Sequence, residues 1–177
     1  MIRKILKSGN PKLREIAKPI INIDGRILEI IKDLTDTLAI QKDPEGVALA
    51  APQIGKSVRI FVANYQDFQR VVINPEIVKI DNRSKPKEKT KAETKLLEGC
   101  LSLPNYYSPL KREPQVTVKY LNEKGEEITE TFKNFQAQIV LHEIDHLNGI
   151  LFIDRLLAKK KPLYKLEKDT WEEVELI

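Results

Sequence analysis

The clearest pattern of hydrophobic and polar positions lies in residues 27–40. Apolar side chains recur there every three or four positions, and charged residues such as Glu29, Lys32 and Asp36 lie between them. This spacing matches the 3.6-residue period of a helix with one apolar and one polar face. The pattern therefore predicts an N-terminal amphipathic helix that begins near Asp24–Gly25.

The segments that follow are shorter and richer in β-branched residues, which favours strands. Residues 58–63, 70–74 and 77–80 contain mostly Val, Ile and other strand-forming residues. Residues 115–120 and 128–132 have the same character and flank a glycine-containing turn, which predicts a β-hairpin.

A second helix is predicted from Phe135 to Asn148, with Gly149 at its C-terminal end. The predicted elements do not alternate in a βαβ series, and the chain shows no internal repeat and no dividing linker. We therefore expect an α+β fold in which antiparallel sheets pack around this central helix. We expect residues 1–177 to form one catalytic domain.

The composition is that of a globular protein. Of its 177 residues, 41% are hydrophobic and 32% are charged, and the net charge is +4. The sequence shows no run expected to serve as a signal peptide or to span a membrane. The single cysteine, Cys100, excludes an internal disulfide and fits a reducing compartment. We expect a cytoplasmic protein with no membrane partner and no specific nucleic-acid partner.

The most informative motif is His-Glu-x-x-His at residues 142–146, which holds the only two histidines of the chain. Positions four apart lie on one helix face, so His142 and His146 can both bind one metal ion. Glu143 lies where a general base can act on a water activated by the metal. Two histidines on a solvated helix face are the structural alternative, but the complete motif favours a metal-dependent hydrolase.

Two histidines need a third protein ligand. One group of zinc proteases uses a histidine where this chain has Phe152, and another uses a downstream glutamate. The candidates for that glutamate are Glu167, Glu172, Glu173 and Glu175. Cys100 is a better donor because a thiolate is a strong ligand, although a cysteine taken alone is more often an apolar core residue than a ligand.

Three short motifs, in this order along the chain, resemble those of the peptide deformylase family. They are Gly-Val-Ala-Leu-Ala-Ala-Pro-Gln at 46–53, Glu-Gly-Cys-Leu-Ser at 98–102 and His-Glu-Ile-Asp-His-Leu at 142–147. Similarity at 10–14 and 73–75 extends the resemblance over most of residues 2–155. The three motifs together are highly specific, whereas any one of them alone is not.

Two residues depart from the family pattern. The family usually has glycine in place of Ala48 and glutamine in place of Leu141. The extra methyl of Ala48 lies where the family's backbone contacts substrate, so we expect the fit of the peptide to differ. Neither departure removes a catalytic group, so we expect an active enzyme.

The resemblance implies an enzyme that removes the N-formyl group from the formyl-methionine of newly made proteins and releases formate. It implies that Cys100, His142 and His146 bind one divalent metal ion. Fe(II) is the expected native ion, and Zn, Ni or Co can occupy the same ligands. Glu143 would take a proton from water and later deliver it to the departing amine.

The resemblance also implies the oxyanion donors and the substrate contacts. The side-chain amide of Gln53 and the backbone N–H of Leu101 would stabilise the oxygen that gains negative charge. The peptide would pair in extended form near Val47 and Ala48. The apolar residues expected around its methionine are Val47, Leu96, Phe135 and Ile139. These apolar residues could equally be ordinary core.

Two other functions stay open on the sequence alone, a zinc-dependent endopeptidase and a metal-stabilised binding module without catalysis. If the family resemblance holds, the partners are formylated nascent peptides and a transient contact with the ribosome. Some family members end in a helix that docks on the ribosome. Residues 163–164 and Trp171 favour C-terminal strands here, so we expect that docking mode to be absent.

Overall fold

The computed structural model describes residues 1–42, 44–81 and 97–175. Within these residues the helices are α1 (Gly25–Ala39), α2 (Asn134–Leu147) and α3 (Phe152–Lys159). The strands are β1 (Ala48–Ala50), β2 (Ile60–Tyr65), β3 (Phe68–Asp81), β4 (Glu98–Cys100), β5 (Leu103–Ser108), β6 (Gln115–Leu121), β7 (Glu127–Lys133), β8 (Leu163–Glu167) and β9 (Thr170–Val174). Short 3-10 helices cover Pro11–Arg14 and Ala51–Ile54.

The strands form two antiparallel sheets. The five-stranded sheet has the order β1-β2-β3-β6-β7, and the four-stranded sheet has the order β4-β5-β8-β9. Within the described residues, neighbouring strands of both sheets pair antiparallel, including the predicted hairpin of β6 and β7. These sheets and the three helices confirm the predicted α+β class.

Helix α1 lies against the five-stranded sheet. Asp24 precedes it and accepts hydrogen bonds from two backbone N–H groups of the first turn, at 3.0 and 3.1 Å. These bonds satisfy donors that have no partner inside the helix. Leu34 and Leu38 are buried and belong to one apolar cluster with Ile60 and Val62 of β2. The apolar face read from the sequence is therefore the face that contacts the sheet.

Helix α2 is buried on more than one side. Its apolar residues Val140 and Leu147 belong to a cluster with Phe61, Val118 and Phe132 of the five-stranded sheet. Its histidines contact β4 of the other sheet through the groups described below. Helix α2 thus lies between the five-stranded sheet and β4.

The N-terminal segment crosses the C-terminal end of α2. The backbone N–H of Ala17 donates to the carbonyl of Leu147 at 2.9 Å. Gly149 has a positive φ of 71°, and a Cβ there would lie 2.4 Å from the carbonyl oxygen of Arg14. Glycine is required at this position both for its backbone conformation and for the close approach.

The C-terminal part of the described chain confirms the predicted strands. Strand β8 pairs with β5 and β9 pairs with β8, while Leu163 packs with Leu156 of α3 in a small apolar cluster. The ring of Trp171 meets that of Tyr107 edge to face at 5.5 Å. No helix in the described ranges has both the length and the apolar character needed to cross a bilayer.

Candidate metal centre

Three potential metal ligands converge where the end of β4 meets α2. The ligand atoms of Cys100, His142 and His146 all lie within 4.8 Å of one another. The Sγ of Cys100 is 3.2 Å from Nε2 of His146. The four-residue spacing places both imidazoles on one side of α2, and β4 brings the thiol to them. Among the described residues, the alternative glutamates at 167, 172, 173 and 175 are not part of this group.

The residues of this group suit a divalent ion. A thiolate with two imidazoles is a donor set that zinc and several transition metals accept. Nδ1 of His142 lies 2.8 Å from Oε1 of Glu98, which leaves its Nε2 for an ion. Burial alone would raise the pKa of Cys100, but the two histidines lower it well below its usual value, which favours the thiolate.

A buried ionic network surrounds Glu98. Arg112 donates to both carboxylate oxygens of Glu98 at 2.9 and 2.6 Å, and to Oδ2 of Asp145 at 2.5 Å. Burial by itself would raise the pKa of Glu98, but the hydrogen bonds with Arg112 and His142 outweigh this effect and lower the pKa to about 2. Glu98 therefore stays ionised beside the His142 imidazole.

The sequence pattern does not predict this network. Asp145 lies three residues after His142, so the helix period places it near the histidine face, and this signal was available. Arg112 lies between β5 and β6 in a short segment that has no helical or strand period. We find no sequence pattern that would have identified Arg112.

Glu143 lies next to the ligands and is buried, with 4% of its surface exposed. Within the described ranges, its Oε2 atom has no hydrogen-bond partner. Burial raises the pKa of Glu143 to about 7. A carboxyl group with such a pKa can both accept and donate a proton near neutral pH.

Gln53 is held beside the thiol from two sides. Its Oε1 accepts a hydrogen bond from the backbone N–H of Ala50 at 2.8 Å. Its Nε2 donates to Oγ of Ser102 at 3.2 Å and lies 3.7 Å from Sγ of Cys100. Ser102, whose role the sequence did not indicate, thus helps to orient the amide.

A cavity of about 270 Å³ opens beside these groups. The polar residues that line it include Gln53, Cys100, His142 and Glu143, and Leu101 also lines the cavity. The apolar residues of the cavity include Val47, Ala48, Leu97, Phe135 and Ile139. Leu96, which was also expected here, lies outside the described residues. The structure thus places apolar surface and polar groups around one space that a short side chain can enter.

Comparisons with known proteins agree with one another. Residues 2–162 match the family described as Polypeptide deformylase. A peptide deformylase of Pseudothermotoga lettingae is 43% identical over 161 residues, which cover 91% of this chain and 86% of the relative. The crystal structure of peptide deformylase from Thermotoga maritima is similar to this chain, with a TM-score of 0.74 and 37% identity. The match covers 88% of this chain and 97% of the Thermotoga maritima chain.

A second solved structure shows the same similarity. It is the Met-ala-ser bound crystal structure of class I type b peptide deformylase from Acinetobacter baumannii. Its TM-score is 0.73 at 30% identity, and the match covers 88% of this chain and 98% of that one.

Proposed function

This chain belongs to the polypeptide deformylase family, and we propose that Cys100, His142 and His146 hold the metal ion on which the family's reaction depends. The chain is a hydrolase that removes the N-formyl group from nascent peptides by cleaving a formyl amide. One observation carries the assignment of residues: three ligand atoms lie within 4.8 Å of one another beside a cavity that also contains a buried carboxyl.

The native ion in this proposal is Fe(II), and Zn, Ni or Co can take the same ligands. The mixed sulfur and nitrogen donor set supports a transition metal rather than Ca²⁺ or Mg²⁺, which prefer oxygen ligands. A divalent ion bound there supplies Lewis-acid polarisation of the formyl carbonyl and a nucleophilic water at neutral pH.

The protein's own residues move the protons and stabilise charge. Glu143 takes a proton from the attacking water and delivers it to the nitrogen as the C–N bond breaks, which releases formate and a free amine. Its burial and raised pKa support this role. The side-chain amide of Gln53 and the backbone N–H of Leu101 donate hydrogen bonds to the carbonyl oxygen as it gains negative charge. The contacts of Gln53 with Ala50 and Ser102 support a fixed orientation of that amide.

The substrate side chain occupies the apolar part of the cavity. The peptide lies in extended form next to Val47 and Ala48, and its methionine contacts Val47, Phe135 and Ile139. The apolar lining supports this placement for the described members of the set. The Met-ala-ser complex of the Acinetobacter baumannii relative supports a peptide that begins with methionine.

Formate release from formyl-Met-Ala-Ser tests the function. We expect anaerobically purified protein with one bound metal ion to release formate and leave the N-acetyl peptide intact. Cleavage of an internal bond in N-blocked peptides would instead support the endopeptidase, and metal binding without turnover would support the binding module.

Cys100→Ala should reduce the metal content to near zero. Stoichiometric metal with unchanged affinity in that variant would place the third ligand elsewhere.

We also propose that the protein acts in the cytoplasm and contacts ribosomes transiently, because its substrates are nascent chains. Residues 163–167 and 170–174 form strands, so the contact we propose does not use a helix formed by these residues. Cosedimentation with ribosomes, with and without residues 162–177, tests this. Binding that is lost with the truncation would show that the hairpin itself is the docking surface.

A further inference from the structure

A line of alternating charges connects the exposed side of α3 to the metal centre. Arg155 on α3 donates to Oδ2 of Asp145 at 2.9 Å and makes a second, shorter contact with Oδ1. Asp145 also accepts from Arg112, which holds Glu98, and Glu98 contacts Nδ1 of His142. Each link is a direct hydrogen bond between charged or ring groups.

Arg155 is the exposed end of this line, and the next side chain, Asp145, is already buried. The Arg155 side chain is 40% exposed, whereas the side chains of Asp145, Arg112 and Glu98 are 7%, 6% and 3% exposed. The buried part contains two carboxylates and one guanidinium, so it carries one unbalanced negative charge. Arg155 supplies the balancing positive charge from the surface. A buried charge that loses its partner is costly, and its neighbours then rearrange to compensate.

The rearrangement expected here shifts the hydrogen bonds of Arg112 from Glu98 towards Asp145. Asp145 and Glu98 share one donor, Arg112, which bonds to both carboxylates at once. Without Arg155, the Asp145 carboxylate keeps Arg112 as its remaining cation in this network and competes more strongly for it. Glu98 then loses part of the hydrogen bonding that fixes its carboxylate against the His142 ring. Hydrogen-bond partners of this kind set the orientation of a metal-binding imidazole.

We propose that Arg155 is a positioning residue for the metal centre. It holds the His142 imidazole in its binding orientation through Asp145, Arg112 and Glu98. The inference rests on the proposed metal site. Arg155 does not line the described cavity, so its removal should act on retention of the metal and not on binding of the peptide.

The chain offers a matched control on the same helix. Arg14 forms an ion pair with Asp154, the residue before Arg155, and its side chain is 49% exposed. Arg14→Ala therefore removes a comparable surface pair from α3 and leaves the Asp145 network intact. Arg155→Lys keeps the charge and loses the two-point geometry of the guanidinium.

The experiment measures the rate at which the loaded protein releases Co(II) into excess chelator. The absorption of the metal–thiolate group reports the Co(II) that remains bound. Loss of a hydrogen-bond partner of a ligand typically costs about 10–100-fold in metal affinity. Arg155 acts three contacts further out, so we expect Arg155→Ala to release Co(II) about 3–10-fold faster than the unmodified protein. Arg155→Lys should be intermediate, and Arg14→Ala should stay within about 2-fold.

The melting temperature of each metal-free variant separates positioning from stability. If Arg155→Ala and Arg14→Ala lower that temperature alike and both release Co(II) at the unmodified rate, the proposal is wrong. In an Asp145→Asn background, Arg155→Ala should add no further acceleration, and a full additional effect would overturn the proposed route. An unmodified protein that binds no Co(II) would refute the metal site itself, and the inference with it.

Discussion

The carboxyl of Glu143 depends on its surroundings for its chemistry, because burial brings its pKa to about 7. We expect Glu143→Gln to keep the metal, since residue 143 is outside the ligand group, and to lose about 10²–10⁴-fold in kcat. Formate release and metal analysis measure the two effects. Glu127→Gln, at an exposed residue paired with Lys119, is the control and should leave kcat unchanged. Near-normal turnover by Glu143→Gln would remove Glu143 from the mechanism.

In the proposed mechanism, the side-chain amide of Gln53 has both a catalytic and a structural role. Gln53→Ala should lower kcat by about 10²–10³-fold through loss of an oxyanion donor. It should also lower the free energy of unfolding by about 1–3 kcal/mol, because the buried N–H of Ala50 loses its acceptor. Ser102→Ala removes the partner that orients Nε2 and should show a smaller loss of kcat. A Gln53→Ala protein with unchanged kcat would contradict the donor role.

The candidate site was predictable only where residue type and spacing carry the chemistry. His142 and His146 are four apart on a helix, and this period alone places both rings on one side. Cys100 was predicted as a metal ligand from its donor chemistry and from the motif around it. Arg112 could not be predicted, because an arginine in an irregular segment gains its role only from partners that are distant in sequence.

The same distinction holds for the elements of the fold. Residues 27–40 and 135–148 have long helical periods, and α1 and α2 lie there within two residues at either end. Strands β1 and β4 have three residues each and were not predicted, because such short strands are stabilised by pairing with distant segments. Helix α3, also not predicted, has eight residues and depends on packing against Leu110 and Leu163.

The end of α2 depends on Gly149. An alanine there must adopt a positive φ and place Cβ against the carbonyl of Arg14. We expect Gly149→Ala to lower the free energy of unfolding by about 2–4 kcal/mol. Gly25→Ala is the control, since a Cβ at Gly25 meets no atom within 4 Å. That variant should be neutral or more stable by up to about 1 kcal/mol. Urea denaturation compares them, and equal stabilities would show that the backbone at 149 adjusts freely.

At the scale of the whole molecule, the proposed metal site lies where the two sheets meet. Cys100 ends β4 of the four-stranded sheet, and α2 packs on the five-stranded sheet. A metal ion bound only by the folded protein stabilises it by about 2.7 kcal/mol at 100 times its dissociation constant. We expect a rise of about 5–10 °C in melting temperature when metal is added to the metal-free protein. Cys100→Ala should abolish this rise, and an equal rise in that variant would show that the ion binds elsewhere.

The distances in sequence between the parts of this site have a consequence for how the protein is made. The contacts of Gln53 with Cys100 and of Cys100 with His146 span 47 and 46 residues, and Ala17 binds the carbonyl of Leu147. Contacts between distant segments form slowly, and none of these can form before the ribosome has synthesised both partners. A newly made copy of the enzyme therefore stays inactive until residue 147 has emerged.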